Sequence, residues 1–225
     1  MDFIKNNWEI PVFVVFAVLC VLFSDVDLWL TSQFWNAQQG FFLNDEAWVQ
    51  FCYKVFWFMP RAVIPLLLLA LVLPWFVTKM QGTRKYSTFL LLVLLIGPGL
   101  IVHPLLKDNW DRPRPRDVQE FAGDLQFTPA FVITDQKGKN QSFASGHAAM
   151  GFFFMAFGWV FASRRWFLLG LLIGAVVGAG RVVQGGHFIS DTITSGFIVY
   201  FTCRVLGHYL LGHASIKGNK NQALK

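Results

Sequence analysis

Six apolar runs, each near the length that crosses a bilayer, dominate this 225-residue chain. A bilayer core about 30 Å thick needs roughly 20 residues of helix. The runs cover residues 8–24, 58–77, 87–106, 147–162, 166–184 and 191–211. None alternates in twos as a barrel strand does. The chain is therefore predicted to be an all-α polytopic membrane protein with six transmembrane helices in a single domain, 1–225. Composition agrees. Hydrophobic residues make up 55% and charged residues 14%, against about 25% charged in a soluble domain. Mean hydropathy is +0.48. These values exclude a disordered chain and argue against an ordinary soluble one. The 25 Phe, 9 Trp and 4 Tyr suit a lipid boundary.

The first run is expected to remain as a helix rather than serve as a cleaved signal. Asp2 offsets Lys5, and no small-x-small cleavage site follows. The net charge of +6 does not point to nucleic acid, because the cations are divided among short segments between apolar runs. With the N-terminus inside, the inner segments hold nine cations and two acids, and the outer ones nine cations and eleven acids. The positive-inside rule then puts both termini in the cytoplasm. Segments 24–57 and 107–146 face outward, and 212–225 is a cytoplasmic tail. The Trp- and Phe-rich 24–57 segment is read as interfacial. Cys20, Cys52 and Cys203 suggest no disulfide framework. Gly170, Gly174 and Gly178 share one helix face, a packing feature.

Ionisable groups in or beside a span are costly and default to function. Three clusters fall on the predicted outer face. Lys107, Arg112 and Arg114 follow the third run; Ser142, Ser145, Gly146 and His147 precede the fourth; Arg181, His187 and Asp191 join the fifth and sixth. Lys107, Arg114 and Arg181 suit a phosphate, since arginine can bind two of its oxygens. Ser145 and Gly146 open a helix, whose free N–H groups favour an anion. Of His147 and His187, one can attack phosphorus while the other protonates the leaving oxygen. Asp191, four residues after His187, can hold the imidazole's other nitrogen if the sixth helix starts early enough. Arg112 has two readings, a phosphate contact or a cation that merely steadies its loop at the interface. Arg116 is read as interfacial and His103 as a buried, satisfied histidine. His208 and His213 are read as lying toward the inner side. Asp108, Asp111 and Asp117 are expected to balance the arginines. A zinc site is disfavoured by the surrounding cations and the lack of an HExxH pattern.

These clusters resemble the three signatures of the type 2 phosphatidic acid phosphatase superfamily. Its Lys-x6-Arg-Pro appears as Lys107 to Arg114-Pro115, and its Pro-Ser-Gly-His as Ala144-Ser145-Gly146-His147. Its Ser-Arg-x5-His-x3-Asp appears as Gly180-Arg181, His187 and Asp191. Two positions depart from the pattern, Ala144 for proline and Gly180 for serine. The resemblance implies that His187 is the nucleophile, His147 the general acid and Asp191 the orienting carboxylate. It implies that Lys107, Arg114, Arg181, Ser145 and Gly146 hold phosphate, with no metal or other cofactor. Segments 96–115, 120–129 and 142–152 are similar to bacterial lipid A 4′-phosphatase-like members. That implies a bacterial inner-membrane enzyme whose partners are the bilayer and a lipid phosphate, acting at the periplasmic face. Undecaprenyl pyrophosphate and phosphatidylglycerol phosphate are alternative substrates. A lipid phosphotransferase, or a non-catalytic lipid-phosphate binder or transporter, is the alternative to hydrolysis.

Overall fold

A computed structural model describes residues 7–136 and 141–216. The predicted tail lysines Lys217, Lys220 and Lys225 lie outside the described residues, as do Asp2 and Lys5. The chain is mostly helical. In order come α1 (Glu9–Leu22), α2 (Asp25–Ser32), a short antiparallel hairpin of β1 (Trp35–Asn36) and β2 (Gly40–Phe41), and α3 (Ala47–Val72). Then follow α4 (Arg84–Leu94), the single turn α5 (Asp108–Trp110), α6 (Gly146–Phe152), α7 (Ala156–Val160), α8 (Arg164–Val183) and α9 (Ile189–Leu206).

Each predicted run falls on a helical segment. Among the described residues, three helical stretches are long and apolar enough to cross a membrane: Ala47–Trp75, Thr78–Asp117 and Arg164–Val183. A fourth results if α1 and α2, bent by 77° at their junction, count as one span. Gly146–Val160 is apolar but shorter. Helix α9 carries Asp191, Arg204 and several threonines, which lower its hydropathy. The second helix begins at Ala47 rather than near residue 58, so part of the segment read as interfacial is helical.

Local sequence explains the irregular helix. Between Leu95 and Lys107 the backbone widens into π turns around Pro98 and Pro104. A proline lacks the N–H that an α turn needs and crowds the preceding turn, so the helix loosens there. That stretch ends on Lys107.

The core joins α4, α6, α7, α8 and α9 through Phe89, Val93, Ala148, Phe152, Met155, Trp159, Val177 and Val199. The glycine stripe of α8 permits close approach. A Cβ on Gly170 would lie 2.2 Å from the Met155 backbone nitrogen, and one on Gly174 would lie 2.1 Å from the Phe152 ring. All three cysteines are free, as the sequence suggests. A second cluster of Val118, Phe121 and Phe188, with Trp35 and Phe41 packed on it, ties the hairpin to the loop before α9.

Gly170→Val forces a side chain into backbone and is expected to destabilise the protein by about 3 kcal/mol or more. At Gly180 an added Cβ meets Trp48 at an ordinary 3.5 Å. Gly180→Ser is therefore expected to be neutral or slightly stabilising, because serine is the better helix former. Thermal unfolding in detergent separates the two. Equal midpoints would contradict this account of α8 packing.

Candidate active site

The three polar clusters meet at one end of the helices. His187 lies in the turn between α8 and α9. The carbonyl of Arg181 accepts the backbone N–H groups of Gly186 and His187 at 3.0 and 3.2 Å, closing α8. Gly185 has φ +62°, and its α-carbon faces the Phe41 ring, so a side chain there would be both strained and blocked. At Gly186 a Cβ would lie 2.4 Å from a guanidinium nitrogen of Arg181. The paired glycines thus let the turn fold tightly over Arg181 and present His187 beside it.

The His187 ring is buried and oriented by a backbone carbonyl. Its Nδ1 donates to the Ser142 oxygen at 2.7 Å. A carbonyl only accepts, so in the neutral ring the proton sits on Nδ1 and the lone pair on Nε2. Here the sequence expectation needs correction. Helix α9 starts at Ile189, after His187, and Asp191 does not hydrogen-bond the ring. Its Oδ2 lies 3.7 Å from Nδ1, an electrostatic contact only. That oxygen instead accepts the Phe188 N–H at 2.8 Å and caps α9.

Arg112 fills the space behind Asp191 with no exposure to solvent. It donates to Asp191 Oδ1 at 2.5 Å, to Asp27 Oδ2 at 2.8 Å, to Ser190 Oγ at 2.9 Å and, through Nε, to the Thr128 carbonyl at 2.8 Å. All three guanidinium nitrogens are thus engaged within the protein, which favours the steadying role over a phosphate contact. Asp27 also accepts from Ser190 N at 3.1 Å and from its hydroxyl at 2.5 Å. The carboxylates that balance Arg112 are therefore Asp27 and Asp191, not the neighbouring aspartates. Asp117 pairs loosely with the exposed Arg116 at 3.9 Å. Asp111 accepts a hydrogen bond from Gln141.

On the other side of His187 several buried nitrogens lack partners, although Arg181 Nη1 donates to the Gln184 side-chain oxygen. His147 Nε2, Arg114 Nε and Arg181 Nε are buried with no hydrogen-bond partner. Lys107, Arg114, Arg181, His147 and His187 are close enough for their charges to act on one another. Ser145 caps α6, accepting from Ala148 N at 3.4 Å, and its carbonyl accepts the Ser195 hydroxyl at 2.9 Å. That contact docks the start of α6 on α9. Tyr53 of α3 stacks on His147 with centroids 4.9 Å apart, and Arg181 lies over Tyr53 at 4.9 Å. His103, expected to be buried, is exposed. Its ring faces Gly146, where a Cβ would sit 2.9 Å from Nε2.

Sequence reasoning missed Asp27, Ser190 and Tyr53. Asp27 had a usable signal, an acid just beyond an apolar run. Tyr53 had none, since its segment is rich in aromatics throughout.

Burial pushes the His187 imidazole well below its ordinary value of 6.5, and Arg181, Lys107 and Arg114 push the same way. The Ser142 hydrogen bond opposes them. Lowering favours the neutral ring, so the Nε2 lone pair persists as the pH falls through the range where free histidine protonates.

Residues 86–212 match the PAP2 superfamily model. The chain belongs to the PAP2 superfamily. It is 35% identical over 195 residues to the lipid A 4′-phosphatase of Francisella tularensis subsp. novicida (strain U112), which covers 84% of this chain and 88% of that relative. It is 38% identical over 108 residues to the lipid A 4′-phosphatase of Rhizobium etli, or 47% of this chain and 42% of the relative. The match to the Rhizobium leguminosarum lipid A 4′-phosphatase is 38% over 103 residues, 44% of each chain. No solved structure matches.

Asp27→Asn leaves a buried arginine short of an ionic partner and is expected to cost about 3–5 kcal/mol. Denaturation in detergent measures this, and an unchanged midpoint would refute the tether. Ring-labelled histidine NMR should find His187 neutral at about pH 5.5, where about nine-tenths of a free imidazole is charged. A His187 that titrates near its ordinary value would contradict the burial argument.

Proposed function

We propose that this protein is an integral membrane phosphatase of a bacterial inner membrane that removes a phosphate monoester from lipid A through a phosphohistidine. The observation that carries the reading is the set of unpartnered, buried donors on His147, Arg114 and Arg181 beside the His187 ring. Together with Lys107 they offer the positive charge and the hydrogen-bond donors that a phosphoryl group needs. Family membership and the 35% identity to a lipid A 4′-phosphatase support the substrate class.

In this reading Nε2 of His187 attacks phosphorus, forming a P–N bond as the bond to the lipid oxygen breaks. His147, which takes up a proton once the negative phosphate is bound beside it, gives that proton to the departing oxygen. Lys107, Arg114 and Arg181 balance the charge gathering on the phosphoryl oxygens. The Ser142 carbonyl and the Asp191 carboxylate steady the positive charge arising on the His187 ring. The free lipid hydroxyl leaves; water, deprotonated by His147, then attacks phosphorus as the P–N bond breaks, which restores the neutral His187 ring and releases inorganic phosphate. Arg112 and Asp27 act through Asp191 and are positioning residues. No step calls for a metal. A phosphotransferase would pass the same phosphohistidine to a lipid hydroxyl in place of water.

Six spans follow if the bent α1–α2 pair, α3, the α4 run, α6–α7, α8 and α9 each cross the bilayer. Lys107, Gly146, Arg181 and Asp191 lie at helix ends that then face one side. The cation asymmetry makes that side periplasmic, with both termini cytoplasmic.

The test is phosphate release from lipid A by the detergent-purified protein with EDTA present. Release is expected to survive EDTA, to fall by at least ~10³-fold in His187→Ala and by ~10² or more in His147→Ala. Mass spectrometry of the product should find one phosphate missing, at the 4′ position. Faster release from undecaprenyl pyrophosphate or phosphatidylglycerol phosphate would move the substrate assignment. Activity retained in His187→Ala would overturn the phosphohistidine.

A further inference from the structure

A cavity of about 1330 Å³ opens between α1, α8 and α9, away from the site described above. Its walls are apolar, with Val12, Phe152, Leu171 and Phe197 among them. One end carries two arginines, Arg164 and Arg204, with His208 and His213 beside them. Glu9 is the only carboxylate among the described lining residues, and it is already matched: Arg204 pairs with it, and the Tyr200 hydroxyl donates to it at 2.7 Å. Arg164 is exposed and forms no ion pair among the described residues. Among the described lining residues, two arginines and one carboxylate leave this end with a net charge of +1.

This cavity is no extension of the active site. Arg164 and Arg181 are 17 residues apart on α8, which is about 26 Å at the α-helical rise. Asp191 and Arg204 lie at opposite ends of α9. A bilayer core is about 30 Å thick. If α8 and α9 span it, as the reading above has them, Arg164 and Arg204 sit at the headgroup level of the leaflet opposite His187.

A chamber walled by phenyl and aliphatic groups and ending in cations at headgroup depth has one fitting occupant. Acyl chains match the walls, and an anionic headgroup matches the end, as in other basic pockets between membrane helices. A zwitterionic lipid would bring its ammonium against the arginines. We infer that this cavity binds one anionic glycerophospholipid, its chains along α8 and α9 and its phosphodiester at Arg164, with Arg204, held by Glu9 and Asn7, behind it. The inference rests on the membrane-spanning reading but not on the phosphatase chemistry.

Native mass spectrometry of the full chain in detergent tests it, with phosphatidylglycerol and phosphatidylcholine of the same acyl chains titrated separately. One phosphatidylglycerol should be retained with at least about fivefold preference, roughly the worth of one cation at a membrane surface. Arg164→Gln should remove most of that preference. Ala175→Trp, at an exposed position on the cavity wall, should lower retention of both lipids. Phosphate release by both variants should stay close to wild type, which certifies that they fold. Equal retention of the two lipids, or a preference unmoved in both variants, overturns the inference. So does displacement of the lipid by inorganic phosphate alone, which would mean an anion site without a lipid. A wild-type protein that prefers phosphatidylglycerol yet releases no phosphate would count against the phosphatase reading and leave this one standing.

Discussion

The end of the molecule that holds the candidate site depends on one buried cation. Arg112 has no solvent contact and lies between two carboxylates, Asp27 and Asp191. A buried arginine is tolerated only when paired and hydrogen-bonded throughout. Here the pairing also does topological work. Asp27 belongs to α2, Arg112 to the loop after α5, and Asp191 to α9, so a single guanidinium ties three distant parts of the chain. The backbone of the same residue continues the link, since the Arg112 carbonyl accepts the Ser142 N–H at 2.8 Å. The Ser142 carbonyl in turn holds the His187 ring. Moving Arg112 would therefore release the carboxylate and the carbonyl that flank the imidazole together.

The arrangement divides charge between two sides of His187. Behind the ring, Asp27 and Asp191 are consumed by Arg112, Ser190 and the start of α9. In front, Lys107, Arg114 and Arg181 act on one another as like charges, and among the described residues none of them forms an ion pair. Like charges held together in a buried place raise the energy of the free site, and an anion with several oxygens relieves it. The same cations disfavour a proton on His187, so the feature that would attract phosphate also leaves free the lone pair of the proposed nucleophile. Arg181 could approach this closely only because Gly186 leaves room for its guanidinium.

Much of this was legible in the sequence, for a physical reason. In a lipid-facing chain a charged residue is expensive, so Lys107, Arg114, Arg181 and Asp191 stand out against apolar runs. Their recurrence at one predicted face marks the candidate site in the sequence alone. The glycine stripe of α8 was legible too, because periodicity alone puts Gly170, Gly174 and Gly178 on one face. What could not be read was contact across the chain. Asp27 and Arg112 are 85 residues apart, and nothing local links them. The acceptor for His187 is a backbone carbonyl, which every residue possesses, so no spacing marks Ser142. Asp191 was read as the ring's partner from its i, i+4 offset, but α9 begins too late for that geometry. The start of α3 was missed because its aromatic residues and Lys54 mimic an interfacial segment.

The two departures from the superfamily signatures become easier to weigh with the geometry in hand. A side chain at position 180 would grow toward Trp48 and Cys52 of α3. A serine hydroxyl there would begin against a helix neighbour rather than among the phosphate-facing donors, so glycine removes little from the site. At position 144 the alanine is buried in the core cluster, and the turn it occupies is held from both sides. Ser142 N bonds to Arg112, and Ser145 bonds to Asp191 and Ser195 of α9. Proline would stiffen that turn through its own ring. Here the stiffness comes from tertiary hydrogen bonds, all of which lead back to the residues that hold Arg112.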